Sequence, residues 1–268
     1  MFHIVIDSAI DHLQDYPSFT VIPLYLRIGE KFLKDRVEIT RDKFYSIMSS
    51  VIDTFTTSQP SPEDFKQVFQ SIPEQDILVL TVASSLSGTM QSALVAARET
   101  TKNVKVLDTL NASIASGLLA HIAVQLREQG KTIEETYEEL MQIREKISLV
   151  AVIATLKNLV RLGRLPAFAG WVGGLLKTVP FIRIKGGEIK PLKNERGSPF
   201  TIFKKNVDKI MNLVDPRYPI AMAYTDLSGD IVQYAQEKGA YLVQVSPIVG
   251  AFAGNNAYGF AFVEGGNL

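Results

Sequence analysis

Apolar and polar positions along the chain follow two rhythms, and the switches between them mark its elements. Residues 2–6 are a short apolar run that reads as a buried strand, with Asp7 and Ser8 at its carboxyl end. Residues 20–28 form a second extended stretch, in which Pro23 points to an edge or a bulge. Thr40 then stands as a cap before Phe44, Ile47, Met48 and Val51, which recur at helical spacing. Ser61 caps a further helix: Pro62 suits its first position, Asp64 completes a capping box, and Phe65, Val68, Phe69 and Ile72 mark its inner face. Residues 76–82 are apolar and β-branched, as in a strand buried on both faces. Met90, Leu94 and Ala97 mark the inside of the helix that follows, and residues 104–107 repeat the strand pattern. Residues 112–129 read as a close-packing helix rich in small side chains, ended by Gly130. Thr132 and Glu135 form a second capping box, for a helix through Lys146 with Ile133, Tyr137, Leu140 and Ile143 inside.

Strand and helix alternate up to about Ser148, which predicts an α/β fold with a parallel sheet covered by helices on both faces. The pattern then changes. Short strands are expected at 149–154, 181–184, 188–192, 220–224, 241–245 and 259–263, with Gly186-Gly187 as a hairpin turn and helices at 202–214 and 230–238. That is an α+β arrangement with a mostly antiparallel sheet. The expectation is two domains, residues 1–148 and 149–268. A chain of 268 residues suffices for two compact domains or one large one.

Composition narrows the function classes. Lys+Arg and Asp+Glu both number 28, so the balance gives no basic bias towards nucleic acid. Cysteine is absent, which removes disulfides, thiolate metal sites and cysteine nucleophiles and suits a reducing cytoplasm. The three histidines, His3, His12 and His121, have no metal-ligand spacing. The N-terminus reads as a first strand and not as a signal peptide, because no basic residue precedes its apolar stretch. The longest uncharged apolar segment, residues 165–176, falls short of the ~20 residues a bilayer span needs. A soluble, cytoplasmic protein is expected. No phosphate-loop pattern is present, so no nucleotide cofactor is expected.

Two hydroxyl-rich turns carry the candidate chemistry: Thr56-Thr57-Ser58-Gln59-Pro60-Ser61, and Ser84-Ser85-Leu86-Ser87-Gly88-Thr89. Each is expected to lead into a helix. Ser-Gly-Thr after a strand and before a helix is suited to an anion, because backbone N–H groups and the helix dipole face it, and Gly88 permits close approach. Read locally, the same residues also serve as caps and turns. Asp7 is equally a support for that site or a turn cap.

These motifs resemble the DegV family of fatty-acid-binding proteins. The resemblance rests on T-S-Q-P-S at 57–61, on L-x-V-x-S-S-x-L-S-G-T-x-Q-S-A, and on Ile6-Asp7-Ser8. It continues through Ile22-Pro23-Leu24, Val106-Leu107-Asp108-Thr109, Leu156-Lys157-Asn158-Leu159 to Gly163-Arg164-Leu165, and Leu176-Lys177-Thr178-Val179-Pro180. It covers the full length. It implies two α/β domains with a long-chain fatty acid between them, and it places the ligand's carboxylate at Thr57 and Ser87. Ser58, Ser85, Gly88, Thr89, Asp7, Arg164 and Phe252 are possible supporting residues. It further implies a non-catalytic carrier, free of metal or other cofactor, and an ATP-dependent fatty acid kinase as partner. That kinase would convert the bound carboxylate to an acyl phosphate for phospholipid synthesis. Phe168, Trp171, Val172, Leu175, Leu176 and Phe252 are candidates for the acyl tunnel, or are ordinary core. Arg164 belongs either to the rim of that tunnel or to a helix C-terminus.

One departure stands out. Phe252 occupies the position of a family histidine near the carboxylate, in Ala251-Phe252-Ala253-Gly254, and it cannot donate a hydrogen bond. Asn255 and Asn256 are the nearby polar replacements. Two other readings accompany the carrier, the second of them motivated by Phe252. One is an acyl ester hydrolase using Ser87, which lacks G-x-S-x-G and a motif-placed base. The other is a lipid-sequestering carrier without a kinase.

Overall fold

The computed structural model describes residues 1–51, 54–166 and 178–265. The N-terminal strand β1 (His3–Asp7) is the centre of a four-stranded parallel sheet. β2 (Phe19–Ile22) flanks it on one side, with β6 (Asp76–Thr81) and β7 (Asn103–Asp108) on the other. The apolar runs are buried as expected: Ile77 through Leu80 of β6 are fully inaccessible.

The single stretch expected at 20–28 is broken at Pro23. β2 stays in the parallel sheet, whereas β3 (Tyr25–Ile28) turns away to pair antiparallel with β4 (Lys31–Lys34) and β5 (Thr56–Ser58). The first hydroxyl-rich turn is thus corrected. Its threonines form a strand, suited to β-branched side chains, and only Ser61 leads into a helix.

Both capping boxes are formed. Ser61 opens α2 (Pro62–Ser71) with Asp64, and Thr132 opens α5 (Ile133–Ile143) with Glu135. α1 (Arg41–Val51) buries Phe44 and Met48. In α3 (Thr89–Arg98) the buried face is Thr89, Ser92, Ala93 and Ala96, while Met90, Leu94 and Ala97 are only half-buried at its margin. The face is therefore rotated from the one read off the apolar side chains, because small residues let this helix lie close to the sheet.

Beyond α5 lies a six-stranded sheet. Its strands are β8 (Ile147–Val152), β9 (Val179–Lys185), β10 (Glu188–Glu195), β11 (Ala221–Tyr224), β12 (Tyr241–Gln244) and β13 (Tyr258–Val263). Their order is β10-β9-β8-β13-β11-β12, antiparallel except for β11 with β12. Gly186 and Gly187 both take positive φ in the β9–β10 hairpin. α7 (Pro199–Ile210) and α8 (Gly229–Lys238) cover one face. The short helices α6 (Lys157–Arg161) and α9 (Pro247–Ala253) flank the other.

The position expected as a domain boundary, Ser148, is the second residue of β8. The helix α4 (Ser113–Glu128) joins the two parts. It packs on β6 of the parallel sheet and on β8, β11 and β13 of the antiparallel one. A single core runs from Ile4 and Leu80 through Leu118 to Leu149, Ala223 and Val263. Gly117 brings α4 so close to the loop after β1 that a Cβ there would fall on the carbonyl oxygen of Asp11.

Candidate functional site

The carboxyl ends of β1 and β6 lie side by side, and one carboxylate shapes the loops that leave them. Asp7 Oδ1 accepts from the Ala9 N–H at 2.9 Å and Oδ2 from the Val82 N–H at 2.7 Å. Complete burial pushes its carboxyl up to about 7, although both backbone donors pull the other way. Asp7 stands behind the wall of a cavity that Ala9 and Val82 line.

The loop after β6 coils tightly. The N–H groups of Leu86 and Ser87 both donate to the Ala83 carbonyl, at 2.9 and 3.1 Å. Gly88 then begins α3 without any side-chain cap. Ser87 Oγ and Thr89 Oγ1 share a hydrogen bond of 2.9 Å. Gln59 ties the other hydroxyl-bearing segment to this turn. Its Nε2 donates to the Gly88 carbonyl at 3.1 Å and to Ser92 Oγ at 3.0 Å. A Cβ on Gly88 would collide with the Gln59 amide. Gly88 has an ordinary φ of −74°, so no left-handed backbone calls for glycine, and the space a Cβ would take is filled by the Gln59 amide. Through this clamp β5 is held so that Thr57 and Ser87 both line the cavity.

Arg164 closes the same end. Its Nε donates to the Leu86 carbonyl at 3.0 Å and its Nη1 to the Leu162 carbonyl. The guanidinium lies 5.9 Å from the centre of the Phe252 ring. Arg161 repeats the device one turn earlier. It donates to the Phe55 carbonyl at 2.9 Å and lies 4.8 Å from the Phe55 ring. Phe55 and Phe252 meet edge to face at 6.0 Å. Two arginine–aromatic pairs thus brace one another at the rim.

The cavity runs between the N-terminal elements and the open face of the six-stranded sheet. It has about 150 Å³ open to the centre of a water-sized sphere, an order of magnitude more than the ~15 Å³ one water requires. Leu24, Leu86 and Ala112 contribute from the N-terminal side, and Ile182, Ile184 and Ile189 from β9 and β10. Ile248, Val249 and Phe252 come from α9, and Ala151, Ala223 and Gly259 from the middle of the sheet. Among the described lining residues Arg164 is the only charged one, and Thr57, Ser87, Ser113, Tyr224, Thr225 and Tyr258 supply hydroxyls.

The structure therefore brings Thr57, Ser87, Arg164 and Phe252 together at one cavity. Other expected supporting residues sit elsewhere. Ser58 is exposed on β5. Ser85 Oγ donates to the Gly187 carbonyl at 2.5 Å, tying the loop to the β9–β10 hairpin. Thr89 is buried behind Ser87. Asn255 and Asn256 are exposed and do not line the cavity, which corrects their candidacy as replacements for the family histidine. Phe168, Trp171, Val172, Leu175 and Leu176 lie outside the described residues.

No described histidine lines the cavity. His3 bonds Thr20 Oγ1 at 2.8 Å, His12 bonds Asp15 at 3.1 Å, and His121 bonds the Tyr16 hydroxyl. Among the described residues no group of three or more histidine and acidic side chains could hold a metal, and no helix is long and apolar enough to cross a membrane. Sequence reasoning passed over the role of Gln59, although it lies inside the quoted T-S-Q-P-S motif. It missed α9, whose seven residues show no usable period.

Fold and site together define a two-sheet α/β protein with a mostly apolar cavity that Arg164 and several hydroxyl-bearing residues also line. The sequence model of the DegV family, described as one of uncharacterised proteins, matches residues 1–265. The chain belongs to the DegV family. A curated relative from Thermotoga maritima, named fatty acid-binding protein, is 36% identical over 205 residues, covering 72% of this chain and 71% of the relative. A Thermus thermophilus DegV family structure, described by its fatty acid binding, superimposes with a TM-score of 0.83 at 28% identity, covering 98% of this chain and 99% of that one. The fold also matches the Streptococcus pneumoniae fatty acid kinase B3 protein loaded with linoleic acid, with a TM-score of 0.84 at 23% identity, covering 98% of this chain and 99% of that one.

Proposed function

We propose that this protein is a carrier that buries the chain of a long-chain fatty acid in the cavity and holds its carboxylate at Thr57 and Ser87. The observation that carries this reading is a mostly apolar cavity lined by Thr57, Ser87 and Arg164, whose segments are tied together by the Gln59–Gly88 and Arg164–Leu86 bonds. A carboxylate leaving water needs several donors, and charge-assisted bonds are the strong ones. Thr57 and Ser87 supply donors without a second charge to desolvate, and the uncapped start of α3 lies beside them. Arg164, 5.9 Å from the centre of the Phe252 ring, is the one positive charge among the described lining residues.

A hydrolytic role for Ser87 has less support. Its hydroxyl is bonded to Thr89 Oγ1, and no described histidine lines the cavity to act as base. The hand-off of the bound carboxylate to a separate fatty acid kinase is the further step of this proposal, resting on the family resemblance. Phe252 favours the sequestering variant, and acyl phosphate formation with a cognate kinase separates the two.

The test is mass spectrometry of an organic extract of the purified protein, with calorimetric titration of oleate and palmitate. A fatty acid at near one-to-one stoichiometry is expected. Thr57→Ala and Ser87→Ala should each weaken binding by about 1–3 kcal/mol, the cost of a lost charge-assisted bond. An empty protein that takes up neither lipid would sink the carrier reading. Unchanged affinity in both variants would sink the carboxylate assignment.

A further inference from the structure

The floor of the cavity contains a residue whose identity neither backbone geometry nor packing demands. Ala151 of β8, Gly259 of β13 and Ala223 of β11 stand directly opposite one another in register, so three adjacent strands present Ala, Gly and Ala in one row. All three line the cavity, and bulkier Ile182 of β9 continues the row on one side. Gly259 sits in the interior of its strand, where glycine is unfavourable because it stiffens nothing and packs nothing. Its φ is not among the positive values, so no left-handed conformation requires it. A Cβ built there would meet Leu149 Cδ1 at 3.4 Å, Ala223 Cβ at 3.5 Å and Ile114 Cδ1 at 3.8 Å, all ordinary contacts. The fold thus has room for a side chain at 259 and does without one. Because Gly259 lines the cavity, a side chain there would take space at the cavity wall.

We infer that Gly259, flanked by Ala151 and Ala223, is the specificity-determining position that sets how long an acyl chain the cavity accepts. This rests on the carrier reading above and adds to it the residue that reads chain length. None of the three carries a side-chain hydrogen-bond donor for a carboxylate, so on the carrier reading they face hydrocarbon, and enlarging one should shorten the accepted chain while leaving the carboxylate end unaltered. Protein interiors are packed closely enough that one or two methyl groups are felt by whatever lies against them.

The experiment compares wild type, Gly259→Ala and Gly259→Val in competition binding of saturated fatty acids of 12, 14, 16 and 18 carbons. Thermal unfolding of each ligand-free protein is recorded alongside. Gly259→Ala should unfold at the same temperature as wild type or higher, because alanine reduces the freedom of the unfolded chain. Its optimum should move to a shorter chain. Gly259→Val should move it further, lowering the preference for 18 over 14 carbons by about tenfold, the scale on which a hydrophobic pocket discriminates methylenes. If Gly259→Val fails to fold, the alanine variant alone carries the test. A folded variant whose length profile matches wild type overturns the inference. A wild-type protein that binds none of the four acids overturns instead the carrier reading on which the inference stands.

Discussion

Gly88 and Gln59 form the contact that assembles the two hydroxyl-bearing segments, so Gly88→Ala must displace the Gln59 amide. It should destabilise the protein by about 0.5–1.5 kcal/mol, the net worth of the hydrogen bonds the exposed Gln59 amide gives up. Adding Gln59→Ala should recover part of that loss, a non-additivity that denaturant titration of the double-mutant cycle will detect. Motif reading noticed this glycine but not the Gln59 amide over it, because which side chain fills the space over a glycine is a tertiary fact. Asp35 permits a sharper test. It is fully buried, and its Oδ1 accepts from the Ile248 N–H at 3.3 Å while Oδ2 has no partner among the described residues. Burial pushes its carboxyl from 3.8 up to about 7. Between those values the folded protein keeps a proton that the unfolded chain has released, so Asp35 makes stability fall as pH rises from about 4 to 7. The histidines act oppositely, since burial lowers His3, His12 and His121. The clean readout is therefore the difference between Asp35→Asn and wild type. Its shift in melting temperature should be more favourable at pH 8 than at pH 5, and an equal shift at both would refute it.

At the level of elements, legibility followed how local the determinants are. α2 was readable because its start is written in adjacent residues: the Ser61 hydroxyl accepts from the Asp64 N–H at 3.1 Å, and Asp64 Oδ2 accepts from the Ser61 N–H at 2.7 Å. Ser61→Ala should cost about 1 kcal/mol in chemical denaturation, as for an N-cap elsewhere. No change would mean that Phe65 and Phe69 alone fix this helix. The β4 and β5 strands were not readable, being short and exposed on several positions, and held by pairing with β3. α9 is fixed from afar. Asp11 Oδ1 accepts from the Ser246 N–H at 2.8 Å, Asp35 receives Ile248, and Asn158 Nδ2 donates to the Ala251 carbonyl at 3.1 Å. Its partners lie up to 235 positions away along the chain, beyond any window of local pattern.

For the molecule as a whole, the expected split at residue 148 remains a proposal about organisation, and α4 argues that the two parts are not independent in energy. Leu118 belongs to the same core as Leu80 on one side and Ala223 on the other. We expect a single calorimetric transition and insoluble product from either part expressed alone; two separable transitions would show that the parts fold independently. The two kinds of sheet were legible because strand alternates with helix before Ser148 and short strands with a hairpin follow it, whereas the cavity between them was not, since no residue encodes an empty space. That space has a consequence of its own on the carrier reading. A ligand that fills it binds the folded chain and not the unfolded one, so occupancy and folding are linked. When lipid is scarce, more of the population is empty, opens more often and is more readily cleared by proteases. The abundance of such a carrier would then follow the supply of its cargo, with no separate sensor to report it.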